Sequence, residues 1–148
     1  MACFLLDHGA DINKRGLNGW NPLFAACSSR CGYLGMVDLL LARGADPSIR
    51  NPHSGATPLI FTACEGSRRA LHCLLKDQRV LATTDAQDIQ GQTALHKACY
   101  HGRSDVVRVL LEAGADPTVA DINGHTVMDI AKHKGQGESV VLLEVSHD

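Results

Sequence analysis

The chain has 148 residues, a length that fits one domain on the usual range of about 100–200 residues, and its 45% hydrophobic content excludes a disordered tail. Fourteen basic and sixteen acidic residues are mixed along it, leaving a net charge of −2. That excludes the basic stripe of a specific nucleic-acid surface or an anionic-membrane binder, so any DNA binding is expected to be weak and non-specific.

Met1–Lys14 opens the chain with Leu5-Leu6 and then Gly9-Ala10-Asp11, the pattern of a helix end followed by a turn. Asp7 interrupts the first apolar run too soon for a signal peptide, and no later run approaches the roughly 20 residues of a membrane span. No membrane contact is therefore expected, and the expected location is cytoplasmic or nuclear. Accordingly, Cys3, Cys27, Cys31, Cys64, Cys73 and Cys99 are read as reduced thiols, most of them buried.

From about Arg15 to Arg50, Gly19-Trp20-Asn21-Pro22-Leu23 introduces a short helix, and a second helix ends with Leu40 to Asp46. Asn51–Gln87 repeats the opening as Gly55-Ala56-Thr57-Pro58-Leu59, and Asp88–Ala120 as Gly91-Gln92-Thr93-Ala94-Leu95. The third unit closes with Val106, Val107, Val109, Leu110 and Leu111 at helical spacing and then Gly114-Ala115-Asp116. Asp121–Asp148 opens more weakly with Gly124-His125-Thr126-Val127-Met128. Asn21, Thr57, Thr93 and Thr126 are placed to cap helix N-termini, and Pro22 and Pro58 follow where a missing N–H costs nothing. First helices should end near Gly32, Gly66, Gly102 and Gly135. Gly9, Gly44 and Gly114 should stop second helices in the left-handed conformation, with Asp11, Asp46 and Asp116 bonding the turn beyond.

The capping positions recur at intervals of 36, 36 and 33 residues, and the Gly-Ala-Asp landmark keeps phase with them. Such a period with a turn and two helices resembles the ankyrin-repeat family, whose usual motif is T-P-L-H-x-A. The resemblance covers nearly the whole chain. It implies a single all-α domain, residues 1–148, built as a solenoid of helix-turn-helix units with protruding hairpins. Its parts are a partial repeat at 1–14, repeats at 15–50, 51–87 and 88–120, and a C-terminal capping repeat at 121–148.

The departures from that pattern are local. His96 alone keeps the motif's histidine; Phe24, Ile60 and Asp129 replace it, the first two adding apolar packing. About two extra residues fall in Ser28–Gly32, and about three around Asp77–Thr84, where Gly-Ala-Asp is missing. Such insertions map to loops. Lys132, His133 and Lys134 make the last unit polar, as a solubilising cap requires.

Few motifs carry chemistry. His96 and Cys99 share one helix face, but without a third orienting group they read as core residues and not as a catalytic pair. Cys27 and Cys31 have no second ligand pair at zinc-site spacing. Gly91-Gln92-Thr93 and Gly135-Gln136-Gly137 have no following Lys-Ser/Thr of a phosphate loop. No enzyme activity, cofactor or metal is expected.

What remains is surface. Stacked units align hairpin tips and first-helix faces into a concave strip, the usual contact surface of solenoids. By register the partner-binding residues are Trp20, Arg50, Gln92, Tyr100, His101, His125, His133 and Lys134, with Ala56 and Gln87 beside them. The expected function is a protein or peptide-binding module, part of a larger protein; the alternative is an architectural spacer without a ligand of its own. Asn13, just past Gly9-Ala10-Asp11-Ile12, resembles asparagines that asparaginyl hydroxylases modify in ankyrin proteins. Finally, Phe4, Leu5, Leu6, Leu23 and Phe24 lie near an N-terminal edge without a polar cap. That edge is expected to fray or to be covered, by self-association, a second chain or an upstream segment.

Overall fold

The computed structural model describes residues 9–28 and 34–146. Within them lie α1 (Pro22–Cys27), α2 (Leu34–Ala42), α3 (Pro58–Glu65), α4 (Arg68–Leu75), α5 (Gln78–Leu81), α6 (Ala94–Tyr100), α7 (Ser104–Glu112), α8 (Val127–His133) and α9 (Gly137–Ser146). Among the described residues there is no strand, only an isolated antiparallel bridge between Ala120 and Thr126. The all-α solenoid expected from the repeat is the observed architecture.

The short first helices start where their caps place them. Side chains of Asn21, Thr57, Thr93 and Thr126 accept the N–H of Phe24, Ile60, His96 and Asp129, and Pro22 and Pro58 follow the first two caps. Each such bond satisfies one otherwise orphaned donor and is worth about 1 kcal/mol. Gly44 and Gly114, with φ of 90° and 89°, end α2 and α7. The Ala45 and Ala115 N–H groups then return to the carbonyls of Leu40 and Leu110, the bonding that closes a left-handed C-cap. Beyond them the carboxylates of Asp11, Asp46 and Asp116 accept N–H bonds from Asn13, Ser48 and Thr118.

Packing runs in two layers. α1, α3, α6 and α8 stack on one another in order, as do α2, α4, α7 and α9 behind them, and each first helix touches its own second helix. Between the layers lie Leu23, Val37, Leu59, Leu71, Leu74, Leu95, Val106, Leu110, Val127 and Leu143, all buried. Phe24 and Ile60, standing where the repeat motif has histidine, are buried as well.

Three expectations need correction or limitation. Leu23 and Phe24 are not an uncovered edge, since they are 0% and 1% exposed and Phe24 faces the Phe61 ring. The last unit is polar on α8, but α9 leaves Val141 and Val145 exposed beside Glu138 and Glu144, so its outer face is partly apolar. Phe4, Leu5, Leu6, Cys3, Cys31, Gly32 and most of the first insertion lie outside the described residues.

The second insertion is helical, not a plain loop. Asp77 caps α5 by accepting the Arg79 N–H. The Arg79 guanidinium then reaches back to the carbonyls of Leu41 and Ala45, 3.1 Å from each. Asp77, 2.7 Å from the same guanidinium, is held in its charged form by that bond. The missing Gly-Ala-Asp turn is thus replaced by a clip onto the C-terminus of α2.

Candidate functional site

The site begins with the hairpins between successive helix pairs. Asp88 and Asp121 each close a turn, donating their N–H to the carbonyls of Gln92 and His125 at 2.9 Å. Their Oδ1 atoms accept N–H bonds from Gln90 and Gln92, and from Asn123 and His125. Burial works against the charge on Asp121, but these backbone donors outweigh it and its carboxyl lies below the usual range. Neighbouring hairpins are tied tip to tip: Ile89 N–H donates to Ser54 and Ile122 N–H to Gln90, both at 3.1 Å.

His96 joins this row of hairpins to α6. Its Nδ1 accepts the Thr93 N–H, and its Nε2 lies 3.2 Å from the His125 carbonyl. An N–H can only donate and a carbonyl can only accept, so the ring is neutral with its proton on Nε2. Burial pushes its pKa down and favours that form. Asp129, at the same register position, keeps the bond to its cap residue, Thr126. This is how the fourth unit tolerates the loss of the motif's histidine.

Between these hairpins and the ends of α6 and α8 opens a cleft of about 520 Å³, lined by Gln92, Tyr100, Asp121, Asn123, His125, Asp129, Ile130, His133 and Lys134. Five residues expected from register therefore meet in one place: Gln92, Tyr100, His125, His133 and Lys134. The Lys134 ammonium sits 4.1 Å from the centre of the Tyr100 ring, within reach of a cation–π attraction. His101 packs edge-on against the same ring, with centroids 5.1 Å apart. Gln92 accepts from Lys97 at 2.7 Å, and Lys97 pairs with Asp88 at 3.0 Å.

The other expected residues lie elsewhere. Trp20 is half-buried at the opposite end, edge-on to Phe61 at 5.1 Å. Arg50 donates to the carbonyls of Gly55 and Gln87, and Gln87 to those of Gly91 and Ala120, so both tie hairpins together. Ala56 is buried and offers no contact surface. Asn13 uses its Oδ1 to accept the Asp46 N–H at 2.9 Å. Asp121, Asn123, Asp129 and Ile130 were missed, although the same register argument reaches them. Also missed were Leu17, Ile89 and Ile122, aliphatic side chains exposed along the hairpin tips.

His96 and Cys99 resolve as packing. Both nitrogens of His96 are engaged away from Cys99, whose thiol burial pushes up to about 12, as it does for Cys27. A thiolate is the form a nucleophile needs, and burial disfavours it here. Of the described cysteines, Cys27, Cys73 and Cys99 are buried and Cys64 is half-buried; all four are free. Among the described residues no helix is long and apolar enough to cross a membrane.

Comparison with known proteins agrees with this architecture. The family model described as "Ankyrin repeats (3 copies)" matches residues 30–121 and 82–144. The chain is 33% identical over 96% of its length to the mitochondrial disaggregase of Bos taurus. It is 37% identical over 92% of its length to the ankyrin repeat and KH domain-containing protein mask-1 of Caenorhabditis elegans, and 32% over 88% to the B-cell lymphoma 3 protein of Homo sapiens. It spans 20%, 5% and 28% of those relatives. Over most of its length the chain belongs to the ankyrin-repeat family.

Proposed function

We propose that the chain is a protein-binding module whose contact strip runs from Trp20 to the cleft between the third and fourth units. The observation that carries the reading is the convergence of Gln92, Tyr100, His125, His133 and Lys134 on that cleft, with Tyr100 46% exposed at its edge. Aromatic side chains supply much of the binding energy of protein interfaces when they sit in such recesses. On this reading the units run 15–50, 51–87, 88–120 and 121–148 after a partial repeat, and the module works within a larger protein in the cytoplasm or nucleus. The four free thiols favour those compartments.

The test is cross-linking mass spectrometry with the intact chain and two variants, Trp20→Ala and Tyr100→Ala. Each variant is expected to weaken capture of the same partner by about 2 kcal/mol, roughly thirtyfold, with an unchanged circular dichroism spectrum. If both variants keep the partner at undiminished affinity, the strip has no ligand and the chain is a spacer.

Asn13 stands as a separate modification candidate. Its side-chain amide is half of an inter-hairpin bond to Asp46, so an enzyme must first loosen that hairpin. Coexpression with an asparaginyl hydroxylase should add one oxygen to the intact mass at Asn13; an unmodified mass removes it from consideration.

A further inference from the structure

At the register position that follows each cap, Phe24, Ile60 and Asp129 occupy three units, and only the third unit carries a histidine, His96. Its ring is fully buried and both nitrogens are committed. Nδ1 accepts the Thr93 N–H at 3.2 Å and lies 2.8 Å from the Thr93 hydroxyl, while Nε2–H donates to the His125 carbonyl at 3.2 Å. The first contact holds the start of α6, and the second ties α6 to the fourth unit's hairpin.

Acid acts on this arrangement at one atom. A proton added to Nδ1 turns an acceptor into a donor that faces the Thr93 N–H. The Thr93 hydroxyl can take a bond from the new donor, but the backbone N–H of Thr93, a fully buried residue, loses its partner. A cation is also left in the core. Burial is the strongest influence against the proton; Asp121 and Asp88 on the two hairpins favour it, and Lys97 on the same helix opposes it. The helices packed on α6, namely α3, α7 and α8, add buried apolar side chains such as Ile60, Val107 and Val127. Cys99, also on α6, stays a neutral thiol.

The neighbouring junction is built without such a group. The Ile89 N–H joins the third hairpin to the second at Ser54, as the Ile122 N–H joins the fourth to the third at Gln90. Ile60 stands at the second unit's register position and does not titrate. In the fourth unit, bonds from Thr126 hold the Asp129 carboxyl below the usual range, so its cap survives mild acid.

We propose that His96 is an acid-sensitive latch between the third and fourth units, whose protonation parts their hairpins and releases a protein segment held in the cleft between them. Release rests on reading that cleft as a protein-binding surface; the latch stands without it. The buried ring takes a proton less readily than the same ring in an opened junction. The junction therefore keeps its full stability above the ordinary histidine value of 6.5 and loses it as pH falls below.

Hydrogen exchange of the full chain at about pH 7.5 and about pH 5.5, corrected for the intrinsic pH dependence of amide exchange, reads the latch without a partner. Opening at the Thr93 and Ile122 amides should rise several-fold at the lower pH, approaching about tenfold where the closed ring takes up no proton. The Ile89 amide should not respond. His96→Gln should abolish the response, and His125→Gln, which removes the ring beside Asp121, should keep it. Equal responses at Ile89 and Ile122, a response retained in His96→Gln, or one lost in His125→Gln overturns the latch. Should His96→Gln fail to fold, nuclear magnetic resonance of the unaltered chain decides: a His96 ring that protonates with no faster exchange at Ile122 overturns it too. An acid response at Ile122 with undiminished capture of the cross-linked partner keeps the latch and overturns release. Whether the strip binds a partner at all is judged separately, by the Trp20→Ala and Tyr100→Ala comparison.

Discussion

Leu95→Ala should lower the melting temperature by roughly 5–15 °C. Leu95 is 1% exposed on α6, the helix packed against α3, α7 and α8 at once. Truncating such a leucine costs about 2–5 kcal/mol, through lost burial and the cavity left behind, and each kcal/mol shifts the transition of a domain this size by roughly 2–4 °C. Repeat stability is a sum of unit and nearest-neighbour terms, so the damage should spread to both flanking units. Hydrogen exchange should quicken over residues 58–75 and 127–143 as well as 94–112. Leu143→Ala, at an equally buried site in the last helix, should quicken exchange mainly in α7, α8 and α9, the two it packs on included. Exchange changed only within α6 and α7 in Leu95→Ala would show that the units do not share stability in this way.

Gly91→Ala should be more disruptive than its single added methyl suggests. Gly91 holds φ at 72°, and a Cβ there would stand 2.7 Å from the Ile122 backbone nitrogen and 3.1 Å from Asp121 backbone atoms. Those atoms belong to the next hairpin and cannot swing aside as a side chain can. The third and fourth hairpins must part, stretching the Ile122 to Gln90 bond and widening the cleft. Gly124→Ala provides the comparison: φ is 79°, but nothing lies within 4 Å of the new methyl. It should lose only the cost of the left-handed conformation, about 1–2 kcal/mol, and Gly91→Ala clearly more, with weaker partner binding. Equal stability losses in chemical denaturation would mean that the hairpins adjust without strain.

Much of the fold was legible because its signals are local. A cap residue, a proline after it and a glycine at a left-handed position act within a few residues of themselves, so Asn21, Thr57 and Thr93 located helix starts from sequence alone. The site was legible only as a list. Register placed Gln92, Tyr100, His125, His133 and Lys134 on one strip, but their meeting at a cleft depends on how two units lean together. Register also does not tell a free side chain from an engaged one. Arg50 has the exposure of a contact residue, yet its guanidinium is bonded to two carbonyls. The helix in the second insertion was missed because its anchor, Arg79, finds its carbonyls at Leu41 and Ala45, far back in the chain.

That anchor has a bearing on how the chain finds its order. Near-identical neighbours invite a unit to dock on the wrong copy, a recurrent failure of repeat proteins. The apolar faces of successive pairs discriminate weakly, since each offers leucines and valines at equivalent places. α5 and its guanidinium break the equivalence at a single junction, where they join the fourth helix's end to the second's. The clip closes when α5 lies against the C-terminus of α2. The extra turn thus gives the junction between the first two units a polar contact of its own.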